Sequence, residues 1–109
     1  MMIFISIEDF YEKVKSCVIL SREEEKKCAA QMKQGDLEAR ERLVQSYLPM
    51  GASRIKRTAP HMQTLGLVLY CQQTLEQLVD KFNFQQDSET FTHRLNWGLR
   101  QAVTRYIVK

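Results

Sequence analysis

Proline and glycine are scarce, with two and four residues in a chain of 109, so little interrupts helices, and collagen-like or linker-type sequence is excluded. There is no alternating apolar stretch, Gly-rich phosphate loop, internal repeat or low-complexity run. The three cysteines, Cys17, Cys28 and Cys71, are odd in number and widely spaced with no CxxC pair. That spacing argues against a disulfide framework and against a zinc site, and predicts small core fillers. His61 and His93 lie far apart without nearby acids or thiols, so neither is assigned a metal or a catalytic role. No nucleophile, base and acid cluster is visible. The expectation is a protein with no enzyme activity, no cofactor, no metal and no small-molecule substrate. Long hydrophobic runs are missing too. The opening MMIFIS is apolar for only five residues before Glu8 and Asp9, with no basic region ahead of it. This predicts neither a signal peptide nor a membrane span, and hence a cytoplasmic protein.

What remains is 44% apolar and 27% charged, the composition of one helical domain with a modest core. The net charge of +3 is small, but its distribution is uneven. Up to Glu41 nine acids face seven Lys or Arg, whereas beyond it four acids face nine bases, and none of the acids lies after Glu89. A basic rear half is what a chain presents when only that half meets a polyanion.

Helical punctuation divides the chain. Ser6 with Asp9 reads as a capping box, with Ile5 and Phe10 as its staple, and predicts a helix from Ile7 to Ile19. Ser21 with Glu24 is a second box, Cys28, Ala29 and Met32 give its helix a buried side, and Gly35 suits the left-handed end. Asp36 caps a third helix with Leu37, Leu43, Val44, Tyr47 and Leu48 on one side and Glu38, Arg40, Glu41 and Arg42 on the other. Pro49 and Gly51 predict a kink or break near Leu48. Thr58 to Gly66 reads as loop, Leu67 to Phe82 as a fourth helix, and Asn83 to Ser88 as connection, with Asp87 or Ser88 capping the last helix. The predicted fold is all-α, one compact domain of about five helices.

The last helix, Phe91 to Ile107, carries the candidate site. At 100° per residue Phe91, Leu95, Leu99, Ala102, Val103 and Tyr106 share an apolar side, while Trp97, Gln101, Thr104 and Arg105 line an adjacent one. That adjacent side combines a flat ring for stacking, an amide that can pair with a base edge, a hydroxyl and a phosphate-binding cation. With Arg94 and Arg100 nearby, the local field is positive. A lone helical Trp is more often a half-buried packing residue, and Arg usually solvates a face.

Three segments in this order, Leu20 to Leu48 (LSREEEKKCAAQMKQGDLEARERLVQSYL), Leu75 to Asn83 (LEQLVDKFN) and Trp97 to Ile107 (WGLRQAVTRYI), resemble the sigma subunits of bacterial RNA polymerase. The likeness is to region 2 of the primary-type family and the helices just ahead of it, and it leaves out the first nineteen residues and the C-terminal tip. Residues 1–19 then form an extra N-terminal helix, 20–48 the helices entering region 2, and 66–107 the part that binds the -10 element. The resemblance implies that Gln101 and Thr104 contact the upstream edge of that element. It also implies that Trp97 supports the strand-separated junction and that Arg100 and Arg105 hold backbone phosphates. RNA polymerase core, through its clamp helices, and promoter DNA are the implied partners.

Departures from the family pattern accompany this likeness. Gly98 stands where a second aromatic is usual, and Arg94 where a Tyr would help to capture the flipped base. On the fourth helix Leu69 and Tyr70 replace the Gln and Glu of the polymerase-binding surface, with Gln72, Gln73 and Glu76 completing the expected partner face. A more apolar face there fits a different partner, self-association or altered core packing. Because the chain ends at Lys109, the resemblance implies one half of a two-subunit sigma factor, completed by a separate helix-turn-helix protein, or a degenerate regulatory relative. The competing expectation is an interaction module that binds a sigma factor or polymerase without reading DNA.

Overall fold

The computed structural model describes residues 2–81 and 91–108. Within them lie five α-helices: α1 (Ile7–Val14), α2 (Arg22–Lys33), α3 (Leu37–Lys56), α4 (Leu65–Lys81) and α5 (Phe91–Val108), with a 3-10 turn at Pro60–Met62. There is no strand among the described residues. The expected connection at 83–88, its caps Asp87 or Ser88, Phe82 and the side chain of Phe91 lie outside the described residues.

The caps follow local chemistry closely. Ser21 and Glu24 make both bonds of the reciprocal box, with Ser21 Oγ accepting the Glu24 N–H and Glu24 Oε1 the Ser21 N–H. At the other end of α2 Gly35 has φ +95°, and the Asp36 and Gly35 N–H groups return to the carbonyls of Gln31 and Met32. These paired bonds close a Schellman motif. Asp36 Oδ1 then accepts from the N–H groups of Glu38 and Ala39 to start α3.

Three expectations are corrected. First, α1 stops at Val14, short of Ile19. The Ser16 and Cys17 N–H groups drop to carbonyls three residues back, and Ser16 Oγ donates to the Lys13 carbonyl, drawing a backbone acceptor out of the helical ladder. Val18 and Ile19 are left exposed, while Leu20 turns inward to the core. Second, the staple uses Phe4, since Ile5 is 79% exposed. Asp9 has one methylene fewer than Glu, and its carboxylate accepts the N–H of Ile5. This turns Phe4 inward onto Phe10, ring centroids 5.0 Å apart and nearly perpendicular. Third, of the kink or break expected near Leu48 there is no break, and α3 runs as one helix through Pro49. The proline removes one bond of the ladder, whereas Ser46, Tyr47, Leu48, Gly51, Ala52 and Ile55 are buried around it, and burial of that extent outweighs one lost bond. Leu37, expected on the apolar side of α3, stands in its first turn and is exposed.

One core joins all five helices. Leu43, Ile55, Leu67, Leu75, Val79, Leu95 and Leu99 are essentially inaccessible, and α4 packs on both α3 and α5. Cys28 and Cys71 fill this core as expected, and burial pushes the Cys71 thiol up to about 11. Arg40, expected on the solvent side of α3, instead bridges to α4. Its Nε and Nη2 donate to Asp80 Oδ1 and Oδ2 at 2.7 and 2.9 Å, and Glu76 lies 3.7 Å from Nη1.

Two outcomes are expected. Ser21→Ala removes one acceptor from the first turn of α2 and should cost about 0.5–2 kcal/mol in urea unfolding. Arg40 holds the Asp80 carboxyl below its ordinary 3.8. A lowered folded value contributes stability that is complete above the unfolded value and is lost as pH falls through the folded one. Unfolding midpoints measured from pH 5 downward should therefore fall less steeply for Asp80→Asn than for the parent chain.

Candidate nucleic-acid interface

Packing on α4 decides which way α5 faces. Leu95, Leu99, Ala102 and Val103 are all buried, as the spacing predicts. The adjacent side is open: Trp97 is 56% exposed, and Arg100, Gln101, Thr104 and Arg105 are exposed with it. These five line a single shallow groove of about 400 Å³. The Thr104 hydroxyl donates to the Arg100 carbonyl at 3.0 Å, which leaves its oxygen lone pairs outward as acceptors. Arg94 is exposed one turn earlier. The structure thus brings together on one surface the stacking ring, the amide, the hydroxyl and the two cations that the sequence predicts.

Gly98 has a packing reason. A Cβ placed there would stand 2.6 Å from Leu78 Cδ1 of α4, so this residue lets the two helices approach. A glycine at that point costs about 1 kcal/mol of helix propensity relative to Ala. Gly66, at the start of α4, makes the same allowance for Tyr106, whose hydroxyl occupies the space a Cβ would need. The Tyr106 ring in turn lies against Tyr70, centroids 5.6 Å apart.

The expected partner face on α4 is only partly presented. Leu69 is 49% exposed and Gln73 is exposed beside it, while Tyr70 is half-buried against Tyr106. Gln72 is buried, and its amide donates to the Met2 carbonyl at 3.3 Å, covered by the N-terminal segment. Glu76 is directed toward Arg40. These two side chains are engaged within the fold.

Two polar ties around α5 have no local signature in the sequence. Arg54 Nη2 of α3 donates to Asn96 Oδ1 at 2.7 Å. The Tyr47 hydroxyl donates to Glu25 Oε1 at 2.5 Å and lies 3.3 Å from the Thr92 hydroxyl, joining α2, α3 and α5. Burial, and then the Glu25 carboxylate, push the Tyr47 hydroxyl well above the ordinary phenol range. The helical spacing marked Tyr47 as apolar-facing, but no rule of spacing names partners that lie 22 and 45 residues away. Among the described residues no three His, Cys, Asp or Glu side chains gather as a metal site, and no helix is long and apolar enough to cross a membrane.

No family model matches the chain. It is nevertheless similar to a bacterial RNA polymerase sigma factor. One such relative is RNA polymerase sigma factor SigA of Clostridium acetobutylicum, 32% identical in an alignment 108 residues long that covers 94% of this chain and 28% of the relative. The chain thus spans less than a third of that protein's length, and over that length the comparison supports a sigma-factor-like relationship. The part of this chain left outside is too short to hold all of the first nineteen residues, so the similarity reaches into the N-terminal segment, further than the sequence motifs predict. This similarity is consistent with the expectation that the chain is not an enzyme.

The Gly98–Leu78 approach yields a prediction. Gly98→Trp, which would supply the second ring of the family pattern, has to displace Leu78. It should destabilise the chain by about 1–3 kcal/mol in urea unfolding, as overpacking does. Retention of the parent midpoint would mean that α4 and α5 separate more readily than their contact implies.

Proposed function

We propose that the chain is a sigma factor-like transcription protein that holds promoter DNA of the -10 type on the exposed side of α5 and contacts RNA polymerase through α4. The reading rests above all on one observation, the shared groove of Trp97, Arg100, Gln101, Thr104 and Arg105. Each group has a distinct task there. Trp97 stacks on an unpaired base, which suits any base because all have a π-face. Gln101 reads a base edge through two polar atoms on one amide, and Thr104 adds an acceptor. Arg100 and Arg105 hold phosphates through charge-assisted hydrogen bonds. The similarity to a sigma factor supports a sigma-like transcription role.

On the polymerase side the exposed Leu69 and Gln73 of α4 are the contact residues, with the edge of Tyr70. The clamp helices of the polymerase core are the surface they meet. No charge lies between Leu65 and Leu75, so this docking gains from apolar burial more than from ion pairs. That uncharged stretch also favours a second reading, an interaction module that binds polymerase or a sigma partner without DNA. The two readings separate on DNA binding alone.

The test is fluorescence anisotropy with a labelled non-template -10 strand across salt. Gln101→Ala should change base preference and leave the salt slope nearly unaltered, whereas Arg105→Ala should weaken binding to all sequences alike and flatten the slope. Trp97→Ala should weaken single-strand binding by about 1–3 kcal/mol. If the parent chain fails to bind the strand even at low salt, the DNA-reading function is lost and the interaction module is favoured.

A further inference from the structure

Residues 2–5 precede α1 without helical structure, yet side chains of the fold hold them in place. Cys17 Sγ lies 3.9 Å from Met2 Sδ, Lys13 Nζ donates to the Ile3 carbonyl at 2.8 Å, and Asp9 Oδ2 accepts the Ile5 N–H at 3.0 Å. These partners recur in reverse order, so the segment lies antiparallel along α1. A further bond ties it to α4, from Gln72 Nε2 to the Met2 carbonyl at 3.3 Å. Phe4 points into the core, where it is buried against Phe10.

With Phe4 turned inward, its two neighbours turn outward. Ile3 is 70% exposed and Ile5 is exposed as well. One exposed aliphatic residue is ordinary, but a pinned segment that presents two of them beside a further apolar surface marks an interaction site. That further surface is α4. Gln72 follows the exposed Leu69 by three residues and directly precedes the exposed Gln73, and the peptide group joining Met2 to Ile3 rests on its amide. Where α4 alone would show Gln72, the chain therefore shows its N-terminal segment. No charged side chain occurs from Met2 to Ile7 or from Leu65 to Leu75. Two uncharged stretches thus meet at the bond between Gln72 and Met2.

We propose that Ile3 and Ile5 form a rim of the surface through which α4 meets RNA polymerase, supplying apolar contact in place of the covered Gln72. The proposal rests on the reading of α4 as the polymerase-binding helix and adds to it residues from outside that helix. Polymerase is the occupant because the rim continues the surface of Leu69 and Gln73. A partner seated on those two side chains comes within one side chain's reach of the peptide group that joins Met2 to Ile3. The segment is already fixed by its bonds to Lys13, Asp9 and Gln72, so little chain freedom is lost when the partner arrives. The contact buries apolar surface, and its strength is insensitive to salt.

The experiment titrates the labelled full chain with purified bacterial RNA polymerase core enzyme, without DNA, at low and high salt. Ile3→Ser combined with Ile5→Ser should weaken binding about tenfold, by the same factor at both salt concentrations, and Leu69→Ser should weaken it by a similar factor. The urea midpoint of the double variant should match the parent, because both isoleucines are exposed. If it falls, Ile3→Ser alone decides the question. If Leu69→Ser weakens binding while the isoleucine variant binds as the parent does, the rim is overturned and the α4 reading stands. Tighter binding by the isoleucine variant also overturns it, since the segment is then a cover that polymerase displaces. Sedimentation of the parent alone should show a monomer, and a dimer that the double variant dissociates would assign the patch to a second copy and overturn the rim. If the parent does not bind core enzyme at all, the rim and the α4 reading fall together.

Discussion

Four side chains on one side of α5 determine what its other side can do. Leu95, Leu99, Ala102 and Val103 are buried against the rest of the core, chiefly α4. Full burial of a Leu or Val contributes about 1.5–3 kcal/mol, whereas an exposed polar contact contributes well under 1 kcal/mol. Rotating the helix to hide Trp97 would expose the aliphatic stripe and cost several times what any surface contact could return. The orientation of Trp97, Gln101 and Arg105 toward solvent is thus a consequence of the core. The close approach at Gly98 reinforces it, because Leu78 fills the space that a larger residue would take.

This explains why so much of the chain is legible in the sequence. Periodicity, caps and the left-handed glycine are local matters, decided within four residues, and the chain obeys them at Ser21, Gly35 and Asp36. The buried and open sides of α5 follow from 3.6-residue spacing alone. The failures occur where a local rule competes with the core. Pro49 predicts a kink or a break, yet there is no break, because the burial of Tyr47, Leu48, Ala52 and Ile55 on either side carries α3 through it. Ile5 is correctly placed in sequence for a staple, yet the hydrogen bond from its N–H to Asp9 turns Phe4 inward instead.

The polar ties were not legible, and the reason is again physical. Arg40 with Asp80, Arg54 with Asn96 and Tyr47 with Glu25 join residues far apart in the chain, and many charged or polar residues of the same type could have served. The same limit shaped the candidate partner face. Gln72 looks available on a helical wheel, but the N-terminal segment takes its amide. Glu76 lies on the same helix and is drawn to Arg40. A surface predicted from one helix is open only as far as neighbouring elements leave it so, and the groove on α5 and Leu69 and Gln73 on α4 are open in this way.

The two faces differ in the physical basis of recognition. The α5 side is cationic with one stacking ring, so its binding energy toward a polyanion is dominated by counterion release and weakens as salt rises. The exposed side of α4 has no charge for its first eleven residues, so contacts made there depend on apolar burial and are insensitive to salt. Under the proposed function, a chain built this way holds a protein partner through α4 at salt concentrations where its grip on nucleic acid is already weak. Nucleic-acid binding then becomes the step that local concentration, raised by prior docking, brings within reach.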